Sequence, residues 1–402
     1  MTGDKRGILE VEEILQDFSK EEIMELTGIP ISEMYSLPKF LWMHKNTDVL
    51  ERAKYIFMYE DFIGYYLTGK RMISYSSASR TMAFDIKRKA WSKELLEMAG
   101  ISEHQMSKLV DSGTVLGTIL QDIARELGLP EHVKIAAGGH DQECAALGAG
   151  VISKGMGEDG HGTCEVMNIM LHEPLNSKYM LKNDLACIPG MIPGTYMTNI
   201  ETTTCGILMN WSRDCIFEGI NKTCMEKGIN FFSYMDQAAR EVKTDLLILP
   251  QFGSSGNPNI NYDTKGLIWG LTVHTKPVEI YRAIKESMAF QMAMAYEHAK
   301  PAGIEMEKIA ITGGGAVSDL TMQIRADVFG MEIISLKQKE AGTLGCMIVA
   351  AKAMGYFSDF EEGVKCTVQI EKTFTPDEKN KEYYQLKYER YKRLYQSMHD
   401  FI

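Results

Sequence analysis

Residues 308–355 read KIAITGGGAVSDLTMQIRADVFGMEIISLKQKEAGTLGCMIVAAKAMG, and the order of patterns in that run leaves few folds open. A short apolar strand meets three glycines and a helix, then EIISL gives a second strand before a second helix. Strand and helix in alternation predict α/β architecture. The same rhythm ends in DLLILPQFG and GLIWGLTV, before a long helix that starts at Pro277. At 134–150, KIAAGGHDQECAALGAG reads as strand, tight turn and closely packed helix, with Asp141 at the helix start.

A chain of 402 residues exceeds one ordinary core, so two domains are expected. Glycine is densest in GVISKGMGEDGHG, residues 150–162, which places the boundary there and divides the chain into 1–152 and 153–402. The first part looks helical. Ser19 to Glu22 has the capping-box pattern for a helix ending near Gly28, Pro38 sits where a helix can begin, and Gly69 and Gly100 suit C-terminal caps. Between those caps, MISYSSASRTMAFDI is expected to be strand or loop facing a cleft. The tail, KNKEYYQLKYERYKRLYQSM, is an amphipathic helix for docking.

The formal charge of −11 argues against nucleic acid or an anionic membrane as the main partner, because phosphate binding needs a basic footprint. Eight cysteines without a Cys-x-x-Cys pair suit reduced thiols, and hence a cytoplasmic protein. The charged opening MTGDKRGILEVEEILQDF lacks the apolar core of a signal peptide, and no apolar run is long enough to span a bilayer.

GYYLTGKR fits Gly-x4-Gly-Lys, but Arg71 stands where a phosphate loop needs Ser or Thr, and two tyrosines are bulky where backbone must wrap phosphate; a helix end at Gly69 accounts for it. ITGGGAVSD is a strand, three glycines and a helix capped by Ser318, a turn that lets backbone approach a nucleotide. The following strand ends in Lys337 and Gln338 rather than an acid, which favours a mononucleotide, with a packing turn as the alternative. GHGTCEV puts Thr163 where hydroxyl and backbone N–H groups hold a terminal phosphate, or where an ordinary turn opens a strand. Asp141 is either a simple helix cap or the base of a phosphoryl-transfer site, and the neighbouring glycine turns favour the second. His140 with Cys144, and His161 with Cys164, have a separation from which a zinc site can be drawn; no family spacing supports one, so no metal ligand is assigned.

Seven blocks in order, YSLPKFLWMHKN, DFIGYYLTGKRMISYSSASRTMAFDIKRKAWSKELLEMAGIS, AAGGHDQECAALGAG, GHGTC, LPQFGSSGNP, ITGGGAVSDLTMQIRADVFG and EAGTLGCMIVAAKAMG, resemble the FGGY family of carbohydrate kinases. The resemblance implies a two-domain, actin-like and ribonuclease H-like ATPase fold, with a sugar-binding domain at 1–152 and a nucleotide-binding domain with a terminal helix at 153–402. It implies ATP and Mg2+, a small sugar or polyol as acceptor, and a homodimer, as the family often forms. By it Asp141 is the general base and a substrate contact, and Gln142 helps hold the substrate. Gly162, Thr163, Gly206, Gly313, Gly314, Gly315 and Ala316 line the nucleotide site, with Thr163 at the γ-phosphate.

Family members begin with a strand hairpin carrying Asp-x-Gly-Thr, and no such motif stands near Met1. The expectation is therefore a truncated first domain with an uncovered sheet edge and apolar helix faces. Cys164 stands where the family usually has Ser or Gly. Two functions follow: phosphorylation of a sugar or polyol hydroxyl by ATP, or a truncated, non-catalytic member that at most binds nucleotide or sugar.

Overall fold

Local signals set most of the helix ends. A computed structural model describes Asp4 and residues 6–175, 178–261 and 263–398. Ser19 and Glu22 form the expected capping box for the helix Lys20–Thr27, which stops at Gly28 with φ +75°. A side chain at Gly28 would meet the Cys187 carbonyl oxygen at 2.1 Å, so this turn needs glycine twice over. Gly69 ends the helix Tyr59–Thr68 in the left-handed conformation, as expected of GYYLTGKR. In MISYSSASRTMAFDI, Met72–Ser74 and Phe84–Asp85 are strand, and Ser74 caps the short helix Tyr75–Ser79 that lies between them.

The chain divides into two compact units, the first comprising Met1–Lys154, Met170–Thr198 and Gly342–Thr367 and the second Gly155–Ile169, Asn199–Ala341 and Val368–Ile402. In the first, described strands pair in twos: Met72–Ser74 with Lys108–Val110 in parallel, and Val115–Thr118 with Lys134–Ala136 antiparallel. The helix Tyr59–Thr68 turns Asp61, Gly64 and Thr68 inward and leaves Tyr59, Phe62, Ile63 and Tyr66 exposed. Burial pushes the Asp61 carboxyl up to about 6, against the hydrogen bond it accepts from Ser107 Oγ at 2.6 Å.

The second unit is built on a mixed sheet of β1 (Gly155–His161), β2 (Glu165–Leu171), β3 (Tyr196–Thr202), β4 (Met306–Gly313), β5 (Glu332–Leu336) and β6 (Ile370–Phe374). Their order is β6-β5-β4-β1-β2-β3. β4 runs parallel to both β1 and β5, and its apolar residues are buried as in a central strand. The glycine-dense stretch GMGEDGH is thus a strand; Gly157 lets Met306 pack onto it, since a Cβ there would lie 2.5 Å from the sulfur.

The long helix Pro277–Ala299 starts with proline at its first turn and runs through the core with Phe231, Tyr281 and Phe290. The terminal helix Glu378–Ser397 docks on it through Tyr384 and Tyr391, and Tyr391 donates to Gln291 Oε1 at 2.6 Å. Truncating an aromatic such as Phe290 would cost about 3–5 kcal/mol. Among the described residues no helix is long and apolar enough to cross a membrane.

Candidate active site

In the first unit a strand ending at Ala136 feeds a glycine turn and the helix Asp141–Gly148. His140 occupies the cap position and Asp141 is the first helical residue, its carboxylate 82% exposed. The turn is tight: a Cβ on Gly139 would lie 2.3 Å from the Met191 sulfur. His140 is braced from below. Its Nδ1 lies 2.8 Å from Oε2 of the buried Glu143, and its backbone N–H donates to Ser76 Oγ at 3.1 Å. Ser76 Oγ in turn donates to Glu143 Oε2 at 3.4 Å, and His140 Nε2 lies 3.4 Å from Asp141 Oδ1. Two buried groups, Glu143 and Ser76, therefore fix His140 beside an accessible carboxylate, an arrangement that suits a general base.

Gln142 is half-buried on the same helix. The helix Ala341–Ala353 lies close behind, because a side chain on Gly345 would sit 1.9 Å from the Cys144 carbonyl oxygen. Ser76 and Glu143 were not among the expected site residues. Glu143 was visible as the residue one turn after His140, whereas Ser76 lies 67 positions away and carries no local signal.

In the second unit, Gly162, Thr163 and Cys164 form the exposed turn between β1 and β2. The start of the helix Gly206–Trp211 meets that turn through backbone alone. Gly206 N–H donates to the Gly162 carbonyl at 3.0 Å and Ile207 N–H to that of Thr163 at 3.2 Å. A Cβ on Gly206 would lie 2.5 Å from the Gly162 oxygen, so only glycine fits. Gly313 pairs with His161 at the ends of β4 and β1 and has φ +72°. Gly314 and Gly315 follow it, Ala316 is buried, and Ser318 caps the helix Asp319–Phe329 by accepting from Thr321 N–H, as the sequence predicted. The structure thus brings Gly162, Thr163, Gly206 and Gly313 to Ala316 to one end of this sheet.

Beneath the turn lies a buried charge cluster that sequence reasoning missed. His161 Nε2 is 2.9 Å from Asp159 Oδ2, and Arg325 Nη1 donates to the same oxygen at 3.0 Å while lying 2.5 Å from Glu165 Oε1. Burial alone would raise the Asp159 carboxyl, but His161 and Arg325 outweigh it and hold the carboxyl below its ordinary value. For Glu165 burial wins over Arg325 and pushes the carboxyl up. Nearby, burial takes Glu158 up to about 7, although Thr312 Oγ1 and Asn168 Nδ2 both donate to it at 2.5 Å.

Asp159, His161 and Glu165 are the one cluster of three metal-type ligands among the described residues. The Arg325 guanidinium already supplies the cation at two of those carboxylates, so the cluster does not suit a metal ion. Neither histidine and cysteine pair noted in the sequence gathers a third ligand among the described residues.

Comparison with known proteins interprets this arrangement. The model of the FGGY carbohydrate kinase N-terminal domain matches residues 1–148, and that of the C-terminal domain matches residues 160–354. The chain belongs to the FGGY family of carbohydrate kinases. Xylulose kinase of Staphylococcus epidermidis is 27% identical over 369 residues, which cover 91% of this chain and 72% of that protein. Autoinducer-2 kinase of Escherichia coli is 26% identical over 397 residues, 97% of this chain and 74% of that protein. The crystal structure of xylulose kinase from Rhodospirillum rubrum superposes with a TM-score of 0.88 at 22% identity, covering all of this chain and 80% of that one. The FGGY fold, two-domain, α/β and actin-like, is therefore the fold of this chain. Both FGGY domains are matched, so the expectation of a first domain missing its phosphate hairpin finds no support in the comparisons.

Proposed function

We propose that this FGGY kinase transfers the terminal phosphoryl group of ATP to a hydroxyl of a sugar or polyol. The observation that carries the reading is Asp141: an exposed carboxylate at a helix start, beside a histidine held by Glu143 and Ser76. In this role Asp141 takes the proton from the attacking hydroxyl, a contribution of about 10² to 10⁴ in rate. Gln142 helps orient the acceptor, and alignment of acceptor and phosphoryl group supplies the larger share. Residues 1–152 act as the sugar-binding domain and residues 153–402 as the nucleotide-binding domain.

Support for the nucleotide comes from the second unit. Gly206, Gly313 and Gly315 stand where a Cβ would strike backbone or His161, while one on Gly314 would make only an ordinary contact with the His161 carbonyl oxygen, so the rim is bare backbone that a nucleotide can approach closely. In this reading the hydroxyl of Thr163, which lies on the exposed turn, faces the γ-phosphate, and Ala316 packs against the adenosine. Magnesium arrives on the nucleotide phosphates, and no side chain is assigned to it.

The test is ADP release by the purified chain with ATP, magnesium and a panel of ketoses and polyols that includes xylulose and autoinducer-2, named for the relatives. Turnover with one acceptor is expected. A folded chain that neither releases ADP with any acceptor nor binds nucleotide in calorimetry would overturn the reading.

A further inference from the structure

Four ionisable side chains lie wholly inside the second unit: Asp159 and His161 on β1, Glu165 on β2 and Arg325 on the helix Asp319–Phe329. Burying such a set costs several kcal/mol per ion before pairing, and well-packed apolar residues of similar volume often serve stability as well. Their geometry shows what apolar residues could not do. Asp159 Oδ2 takes both His161 Nε2, at 2.9 Å, and Arg325 Nη1, at 3.0 Å, so the imidazole is fixed in rotation about its side-chain bonds. Glu165, 2.5 Å from the same guanidinium nitrogen, ties β2 to the cluster from the far side of the turn.

The fixed ring sits between the two glycine segments. Its Nδ1 lies 1.9 Å from where a Cβ on Gly315 would be, and the His161 carbonyl oxygen lies 2.6 Å from where one on Gly313 would be. The next two residues are Gly162 and Thr163, whose carbonyls take the N–H groups of Gly206 and Ile207. One side chain thus touches the Gly313–Gly315 segment and adjoins the 162–163 turn.

We propose that Asp159, Glu165 and Arg325 are positioning residues that lock the His161 ring, and that His161 sets the register of the Gly162–Thr163 turn against the Gly313–Gly315 loop for nucleotide binding. The nucleotide part rests on the function proposed above; the register part does not. The cluster spans 166 residues of sequence between Asp159 and Arg325, so it couples the two segments only in the folded chain.

The test compares Arg325→Met, which removes the charge at similar volume, with Arg325→Lys, and follows two readouts. With the kinase substrates, Arg325→Met is expected to raise KM for ATP by about tenfold to a hundredfold while KM for the sugar stays within about twofold, and Arg325→Lys to recover part of that loss. Without any substrate, amide hydrogen exchange of residues 161–164 and 313–316 is expected to speed up together in Arg325→Met, with Pro277–Ala299 unchanged. Should Arg325→Met not fold, Asp159→Asn carries the same comparison. Unchanged exchange at both segments in a folded variant overturns the proposal, as does a fall in every kinetic constant that simply tracks the melting temperature. A wild-type chain that binds no nucleotide overturns the function reading instead, and leaves the exchange result to decide the register.

Discussion

The imidazole of His161 fills the space that a side chain at Gly315 would need, with Nδ1 1.9 Å from the position of a Cβ there. Because Asp159 pins that ring, it cannot swing away cheaply. Gly315→Ala is expected to cost about 1–3 kcal/mol of stability and to weaken nucleotide binding. Adding His161→Ala opens the space, so the double variant should lose less than the sum of the two singles, by about 0.5–3 kcal/mol. Urea melts of the four proteins measure this, and strict additivity would contradict it.

Glu158 gives a pH signature in the same unit. Its ordinary value is 4.5 and burial raises it to about 7, so folding favours the neutral form. Its contribution is whole below about pH 4.5 and is lost as pH rises through 7, on the order of 3 kcal/mol. Glu158→Gln, neutral throughout, should remove that part of the decline. Melting curves from pH 4.5 to 7.5 check it, and equal slopes for wild type and variant would refute it.

Among the cysteines, Cys346 is the one to react first. Interaction with the Cys144 thiol brings its own thiol below the ordinary value against the effect of burial, whereas burial raises Cys164 and takes Cys187 up to about 12. Iodoacetamide at pH 7 should modify the exposed Cys346 ahead of the rest, and Cys144→Ala should slow that step about tenfold. Peptide mapping over a time course reads the order, and equal rates at Cys346 and Cys164 would contradict it.

The helix Tyr59–Thr68 shows its apolar stripe, Tyr59, Phe62, Ile63 and Tyr66, to solvent. Such a face favours association. Phe62→Lys with Ile63→Glu should raise the concentration at which light scattering stays constant, with little change in melting temperature, since neither side chain is buried. Scattering that rises at the same concentration in the variant would speak against this.

What the sequence disclosed and what it hid divide by range. The capping box at Ser19 and Glu22, the left-handed glycines at 28 and 69, Pro277 and the Ser318 cap are each set within four residues, and all were legible. The glycine turn before Asp141 and the triple glycine at 313–315 were legible for the same reason. Ser74 was not read as a cap, because a strand ends and a five-residue helix begins at that one position. GMGEDGH looked like a joint, since glycines and acids carry no strand period; it holds its place through β4, whose partner residues lie some 150 positions on. The Ser76 to Glu143 contact and the Asp159 to Arg325 pair depend on folding across 67 and 166 residues, and no local pattern announces either.

The central claim is that Asp141 is the base that activates the acceptor hydroxyl. The direct measurement is the rate of ADP release with ATP, magnesium and the best acceptor from the sugar panel, for wild type and Asp141→Asn at equal folded concentration. The exposed position of Asp141 makes the substitution nearly neutral for stability. A fall of about 10² to 10⁴ in kcat, with nucleotide affinity unchanged, is the predicted result. An Asp141→Asn protein that phosphorylates the same acceptor at the wild-type rate would contradict it.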